Sequence, residues 1–269
     1  MHFPSGKTHL YAILAHPVAH VRASEFFAPI IAKEKRDAFL VPLHVLPEDL
    51  SAMVPMLQRI GNLKGVVITI PHKEAMAGLC DEMGPNAQLA GAVNTVRFEP
   101  DGRLIGDMFD GVGLVNAARA HGIEPRGAKV LMVGAGGAGR AIALAFADEG
   151  AAKITIANRT ESRAKDLAAI VQTVFPDLDV KAGPADPGGH DLIINCTSLG
   201  LKPGQPMPVD PAGLTTDMSL IDIIAPRDTE LMEAARAIGL KKVIGGRPMV
   251  EHQVIAQLNF LGAPPLPDN

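Results

Sequence analysis

The sequence predicts an α/β chain of two units, a mixed α/β unit followed by a doubly wound parallel sheet. Three observations carry that expectation. Short apolar runs of strand length alternate with amphipathic stretches of helix length along most of the chain. Residues 92–107 break the alternation: AVNTVRF and RLIGD, joined by EPDG, read as a hairpin. From Lys129 onward strands alternate with helices, and later with a loop rich in Pro and Gly at 200–213, as a parallel sheet with crossover connections requires.

In chain order, HLYAILA (9–15) is the first strand. Ser24 is placed to cap a helix carrying Phe26, Phe27, Ile30 and Ile31, with Pro29 expected to kink it or delay its start. AFLVPLHV (38–45) is a second strand, placed near an edge by its proline. A helix from Pro47 shows Leu50, Met53, Val54 and Leu57 on one face, and GVVITI (65–70) is a third, buried strand. PHKE (71–74) opens the next helix, with Pro71 at its first position. After the hairpin come a helix at 110–120, the strand KVLMV, a helix at 138–149, the strand KITIA and a helix at 161–173. DLDVKA, DLIIN (191–195), SLIDII, a helix at 229–238, KKVI and a final helix near 249–261 complete the chain. The domains expected are 1–108 and 109–246, with the C-terminal helix, 247–269, packing back on the first.

Composition narrows the function. The length of 269 residues suits two modest domains, and a net charge of −4 gives no basic field for nucleic acid. No apolar run reaches membrane-spanning length, and MHFPSGKTHL lacks the basic flank and long apolar run of a signal peptide. Cys80 and Cys196 lie far apart without metal spacing. These features suit a cytoplasmic protein, monomer or homodimer, whose partner is a small molecule, with no metal, nucleic acid or membrane.

The stretch KVLMVGAGGAGR (129–140) sets the chemistry. A buried strand leads into Gly134, Gly136 and Gly139 in the order G-x-G-x-x-G, and an apolar helix follows. The first glycine permits a tight turn, the second lets a pyrophosphate reach the backbone, and the third lets helix and strand pack closely. With Gly137 and Ala138, the helix N-terminus offers free N–H groups to phosphate. The second unit therefore reads as a Rossmann-type NAD(P)-binding domain. After the next strand, where an NAD site usually carries an acid, the chain has Asn158, Arg159 and Thr160, with Arg163 close behind. A guanidinium fork suits a 2′-phosphate, so NADP is the expected cofactor, with NAD as an alternative.

Seven stretches, TIPHKE, GAVNT, GDMFDG, GAGGAG, NRT, NCTSLG and GRPMVEHQ, come in an order and spacing that resemble the shikimate dehydrogenase family along nearly the whole chain. The resemblance implies an NADP-linked oxidoreductase of shikimate or quinate, serving aromatic amino acid biosynthesis, with an N-terminal substrate domain, a C-terminal nucleotide domain and a cleft between them. It implies that Lys73 is the catalytic lysine and Asp110 its carboxylate partner, that Thr69, Asn94 and Gln253 are substrate contacts, and that Thr197 belongs to the cofactor site. The chemistry is coherent: hydride transfer from a secondary alcohol needs a group to take the hydroxyl proton, and a lysine with a lowered pKa can do so.

The chain also departs from the family. Its first loop normally reads His-Ser-x-Ser-Pro, with both serines on the shikimate carboxylate; here it is His20-Val21-Arg22-Ala23-Ser24. A tyrosine that touches the same end of the ligand is Ile224 here, Val67 stands where the family often has Asn, and Met108-Phe109 replace an Asn-Thr pair. A hydrogen bond to a charged group is worth ~1.5–3 kcal/mol, so losing two lowers affinity or kcat/KM by ~10²–10⁴. Arg22 can replace the clamp by pairing with a carboxylate bidentately, or a one-residue shift can bring Ser24 into play. The expectation is a relative with the family's hydride chemistry and another preferred substrate. A catalytically weak or inactive nucleotide-binding regulatory protein is the alternative. Of the histidines, His20 shapes the first loop and His72 lies beside Lys73; His16, His121 and His252 read as loop or helix-face residues.

Overall fold

A computed structural model of the chain describes residues 4–19, 21–225 and 227–266; His20 lies outside them. The chain divides into two compact units, Met1–Phe109 with Gln253–Asn269, and Asp110–His252.

The first unit holds strands β1 (His9–Ala15), β2 (Ala38–His44), β3 (Leu63–Ile68), β4 (Glu82–Met83), β5 (Thr95–Phe98) and β6 (Leu104–Asp107), and helices α1 (Ala23–Lys33), α2 (Leu50–Gln58), α3 (Lys73–Ala77) and α4 (Pro85–Ala90). The sheet order is β2-β1-β3-β5-β6-β4. β2 and β3 flank β1 in parallel, and the hairpin β5–β6 adds antiparallel strands beside β3. β1 is central, so Tyr11–Ala15 are all buried and read as an unbroken apolar run. β2 lies at the sheet edge, as its Pro42 requires.

The second unit holds α5 (Asp110–Ala120), β7 (Lys129–Val133), α6 (Gly137–Asp148), β8 (Lys153–Ala157), α7 (Glu161–Val174), β9 (Asp179–Ala182), β10 (Leu192–Asn195), β11 (Ser219–Asp222), α8 (Glu230–Ile238) and β12 (Lys242–Ile244). Its sheet, ordered β12-β11-β10-β7-β8-β9, is parallel throughout. Alternation along β7 makes it doubly wound. Val130 and Met132 join Leu114, Ile142, Phe146 and Val171 in one core, while Leu131 and Val133 join Leu231, Met232 and Ala235 in another. The order reverses beside β7, the place where such sheets bind ligands beyond their strand ends.

The last helix, α9 (Gly246–Phe260), begins three residues earlier than its apolar pattern suggests. Its end and the residues after it bond within the first unit: Tyr11 Oη donates to the Leu261 carbonyl at 3.2 Å, and Arg97 Nη1 to the Phe260 carbonyl at 2.9 Å.

Three local expectations need correction. α1 starts at Ala23, with Pro29 in its interior and no side-chain cap; the Ser24 hydroxyl donates instead to the Leu40 carbonyl at 3.3 Å. Burial of Phe27 and Ile31, worth ~3–6 kcal/mol together, outweighs the ~3 kcal/mol an interior proline costs. α3 starts at Lys73 with His72 as its cap, and Pro71 sits outside it. Between α3 and the hairpin lie β4 and α4, both too short to show a period in the sequence.

Candidate active site

In the first unit, β3 ends at Ile68 and the chain turns through Thr69 and Ile70 into α3. The Thr69 N–H donates to the Leu14 carbonyl at 3.2 Å, and the Lys73 carbonyl accepts from Val93 N–H at 3.0 Å. The second bond ties the first residue of α3 to the segment that carries Asn94. Asn94 is buried and clamped through its backbone: its N–H donates to the Asp107 carbonyl and its carbonyl accepts from Ile68 N–H. Its side-chain Oδ1 accepts from Phe109 N–H and from the Thr95 hydroxyl, each at 3.1 Å. Lys73 and Thr69 are half-buried. Gln253, on α9, is half-buried with its Oε1 enclosed and without a hydrogen-bond partner among the described residues. His72 donates through Nε2 to the Val45 carbonyl at 2.9 Å; burial, reinforced by His16, holds its pKa below 6.5 against that bond.

Around the first loop the polar groups are engaged with the protein itself. Arg22 is exposed and paired with Glu25, Nε at 2.9 Å from both carboxylate oxygens. The carboxylate-pairing fork read for Arg22 is thus held by a neighbour three residues on. Ser24 is held by Leu40. Val21 and Ala23 are half-buried, Val67 is buried, and Met108 and Phe109 are buried, the latter with its ring 5.3 Å from that of Phe260.

In the second unit, Gly134 has φ +113°, a conformation L side chains rarely adopt, and a Cβ there would meet the Cys196 carbonyl and the Thr197 methyl. A Cβ on Gly139 would collide with the Gly134 carbonyl, so this glycine sets how closely α6 approaches the loop. Around Gly136, by contrast, no atom lies within 4 Å of a would-be Cβ. That open space, facing the free N–H groups at the start of α6, fits a dinucleotide pyrophosphate.

Asn158 brackets the loop, accepting from Ala135 N–H at 3.1 Å and donating to the Thr160 carbonyl at 2.8 Å. Arg159, Thr160 and Arg163 are exposed beside it, and neither arginine is in an ion pair among the described residues. Lys165 is paired with Glu161. Asp110, first residue of α5, is buried. Burial, with the charges of Asp222 and Asp110, raises the pKa of Cys196.

A buried polar hub that motif reading missed holds the Thr197 loop. Asp222 is buried, which raises its pKa, and it accepts from Asn195 Nδ2 at 3.0 Å, Thr229 Oγ1 at 2.8 Å and Ile224 N–H at 3.1 Å. Asn195 Oδ1 in turn accepts from the Thr197 N–H and hydroxyl. The signal was available in part: Asn195 and Asp222 each close a strand, adjacent in the sheet.

The parallel sheet and the glycine loop at its reversal point define an α/β protein built to bind a dinucleotide. Residues 13–96 match the model of the shikimate dehydrogenase substrate binding domain, and residues 116–242 that of shikimate / quinate 5-dehydrogenase. The chain belongs to the shikimate dehydrogenase family. It is 37% identical to the shikimate dehydrogenase (NADP(+)) of Acidiphilium cryptum, over 98% of this chain and 95% of that one. It is also similar to the crystal structure of Thermus thermophilus shikimate 5-dehydrogenase in complex with NADP(H) and shikimate, with 31% identity, a TM-score of 0.85 and coverage of 96% and 95%. Ligand-free 5-ketofructose reductase of a Gluconobacter species matches with 29% identity, a TM-score of 0.85 and coverage of 96% and 94%.

Proposed function

We propose that this protein catalyses reversible, NADP-linked hydride transfer at a hydroxyl of shikimate or a shikimate-like polyol, with its preference altered at the carboxylate end. The observation that carries the reading is the contrast between the two ends of the first unit's site. Lys73 and Asn94 are present and structurally tied, while Val21 and Ala23 offer no side-chain donor, and Arg22 and Ser24 are engaged by Glu25 and Leu40. The likeness to a reductase whose name specifies 5-ketofructose, a sugar without a carboxylate, supports a substrate lacking that group.

In this reading the first unit binds substrate and the second binds nucleotide. The Lys73 amine takes the proton from the reacting hydroxyl and returns it in the reverse direction. The Asp110 carboxylate serves the same proton transfer, and Thr69, Asn94 and Gln253 hold the substrate's oxygens. Gly134, Gly136, Gly137, Ala138 and Gly139 present backbone to the pyrophosphate, with Asn158 holding the loop's shape. Arg159, Thr160 and Arg163 take the 2′-phosphate, and Thr197 lies beside Gly134 in the same site. NADP, when bound, supplies or accepts the hydride. The protein acts in the cytoplasm as a monomer or homodimer.

The test is formation of reduced nicotinamide with shikimate and with quinate, and its consumption with 5-ketofructose, each with both nucleotides. One of these substrates should turn over, and Lys73→Met should lower that kcat by ~10²–10⁴ with NADP affinity unchanged. Nucleotide binding without turnover on any of them would instead favour the regulatory alternative.

A further inference from the structure

The buried hydrogen bonds around Asn94 have directions that can be worked out hydrogen by hydrogen. A backbone N–H can only donate, so the Asn94 atom 3.1 Å from Phe109 N is its oxygen, and the amide's orientation is set. The Thr95 hydroxyl lies 3.1 Å from the same oxygen. An amide oxygen carries no hydrogen, so the hydroxyl donates its only one. Thr95 Oγ1 can then only accept, and Gln257 Nε2, at 2.9 Å, donates to it. The direction is thus imposed along the whole chain of groups, from Phe109 N–H through Asn94 and Thr95 to Gln257. All three side chains are buried, at 1%, 0% and 0% exposure. Gln257 Oε1 is left enclosed and without a partner among the described residues, an arrangement that costs free energy.

We propose that Thr95 and Gln257 form a positioning relay that keeps the Asn94 oxygen turned toward the sheet, so that Asn94 offers a bound substrate its N–H₂ end. The relay makes this part of the site selective for a substrate oxygen, hydroxyl or carbonyl, that can accept. It rests on the reading of Asn94 as a substrate contact. Neither Thr95 nor Gln257 touches the reacting atoms in this account; both act through Asn94. The relay joins β5 to α9 across 162 residues of sequence. The ionisable side chains on the elements packed around that contact are His9 and Tyr11 on β1, Lys64 on β3, Arg97 on β5, Asp107 on β6, paired in register with Thr95, and Arg247, Glu251 and His252 on α9.

The experiment compares Thr95→Val, Thr95→Ser and Gln257→Glu in the full chain. Two quantities are read: amide hydrogen exchange at Phe109 by NMR, and kcat/KM with whichever of shikimate, quinate or 5-ketofructose the native enzyme turns over, with NADP+ for the alcohols and NADPH for the ketone. Thr95→Val removes the hydroxyl and should speed Phe109 exchange and lower kcat/KM by about three- to tenfold, with NADP+ affinity unchanged. Thr95→Ser should restore both. Gln257→Glu is the diagnostic variant. Its carboxylate can only accept, so it draws the Thr95 hydrogen away from Asn94, whereas its protonated form donates as glutamine does. Its Phe109 exchange, corrected for the intrinsic pH dependence, should therefore match native protein at low pH and rise as pH increases, a step the native protein lacks. If Thr95→Val does not fold, this pH step alone decides. Native-like exchange and kcat/KM in both Thr95→Val and Gln257→Glu, or a folded Thr95→Ser that behaves as Thr95→Val does, would overturn the relay. Asn94→Ala separates the two ideas: unchanged turnover there removes Asn94 as a substrate contact, while Phe109 exchange in the Thr95 and Gln257 variants still reports on the relay.

Discussion

Arg159 and Arg163 are the residues on which cofactor choice turns. Both are exposed, and neither is in an ion pair among the described residues, whereas Lys165 nearby is held by Glu161. A charged hydrogen bond contributes ~1.5–3 kcal/mol, so Arg159→Ala and Arg163→Ala should each raise KM for NADP by ~10- to 150-fold and leave KM for NAD nearly unchanged. The ratio of kcat/KM for the two nucleotides measures this, and an unchanged ratio in both variants removes the 2′-phosphate assignment. At this scale the sequence was informative wherever a residue's task is local. Gly134 and Gly139 announce themselves because backbone shape allows no other residue there. Arg22 was legible as a cation, but its engagement with Glu25 depends on the start of α1, which the pattern misplaced. Thr95 and Gln257 were invisible, since nothing in a linear pattern joins residues 95 and 257.

Among the elements, α5 and α6 show how a helix contact is limited by one missing side chain. Gly111, beside Asp110, lies against α6 so closely that a Cβ would stand 2.5 Å from the Ala141 carbonyl and 2.7 Å from the Ala145 methyl. Helix propensity alone favours alanine over glycine by about 1 kcal/mol. The clash reverses the sign: Gly111→Ala should destabilise the protein by ~1–3 kcal/mol and shift the start of α5, and Asp110 with it. Chemical denaturation checks the first effect, and a stability gain would mean the helices part at no cost. Long elements with a clear apolar period, such as α6 and β7, were read to within a residue or two. The errors fell on the start of α1, where packing overrides a proline, and on α3, α4 and β4, short elements that depend on tertiary partners and show no period.

For the whole molecule, pH acts through buried groups of both signs. Burial lowers the pKa of His9, His72 and His190 below 6.5. The stability these neutral histidines contribute is complete above the unfolded value and is lost as pH falls through their folded values. Burial raises Asp107 and Asp222, whose contribution is complete below 3.8 and lost as pH rises through their folded values. His190 isolates the first class, its ring bonded to the Thr155 hydroxyl at 2.8 Å and the Pro187 carbonyl at 3.3 Å. The fall in Tm from about pH 7.5 to about pH 5.5 should be smaller in His190→Gln than in the native protein; an equal fall would show that the ring titrates alike folded and unfolded. The two-unit plan was legible because alternation and its interruption are global patterns, but the discontinuity of the first unit has a consequence for the birth of the protein. That unit takes its last helix turns from the far end of the chain, and the Tyr11–Leu261 bond joins residues 250 positions apart. On the ribosome, residues 1–109 emerge before 110–252 yet wait for the segment after 252 to find their partners, while 110–252 is already whole. The order of synthesis and the order of completion therefore run in opposite directions.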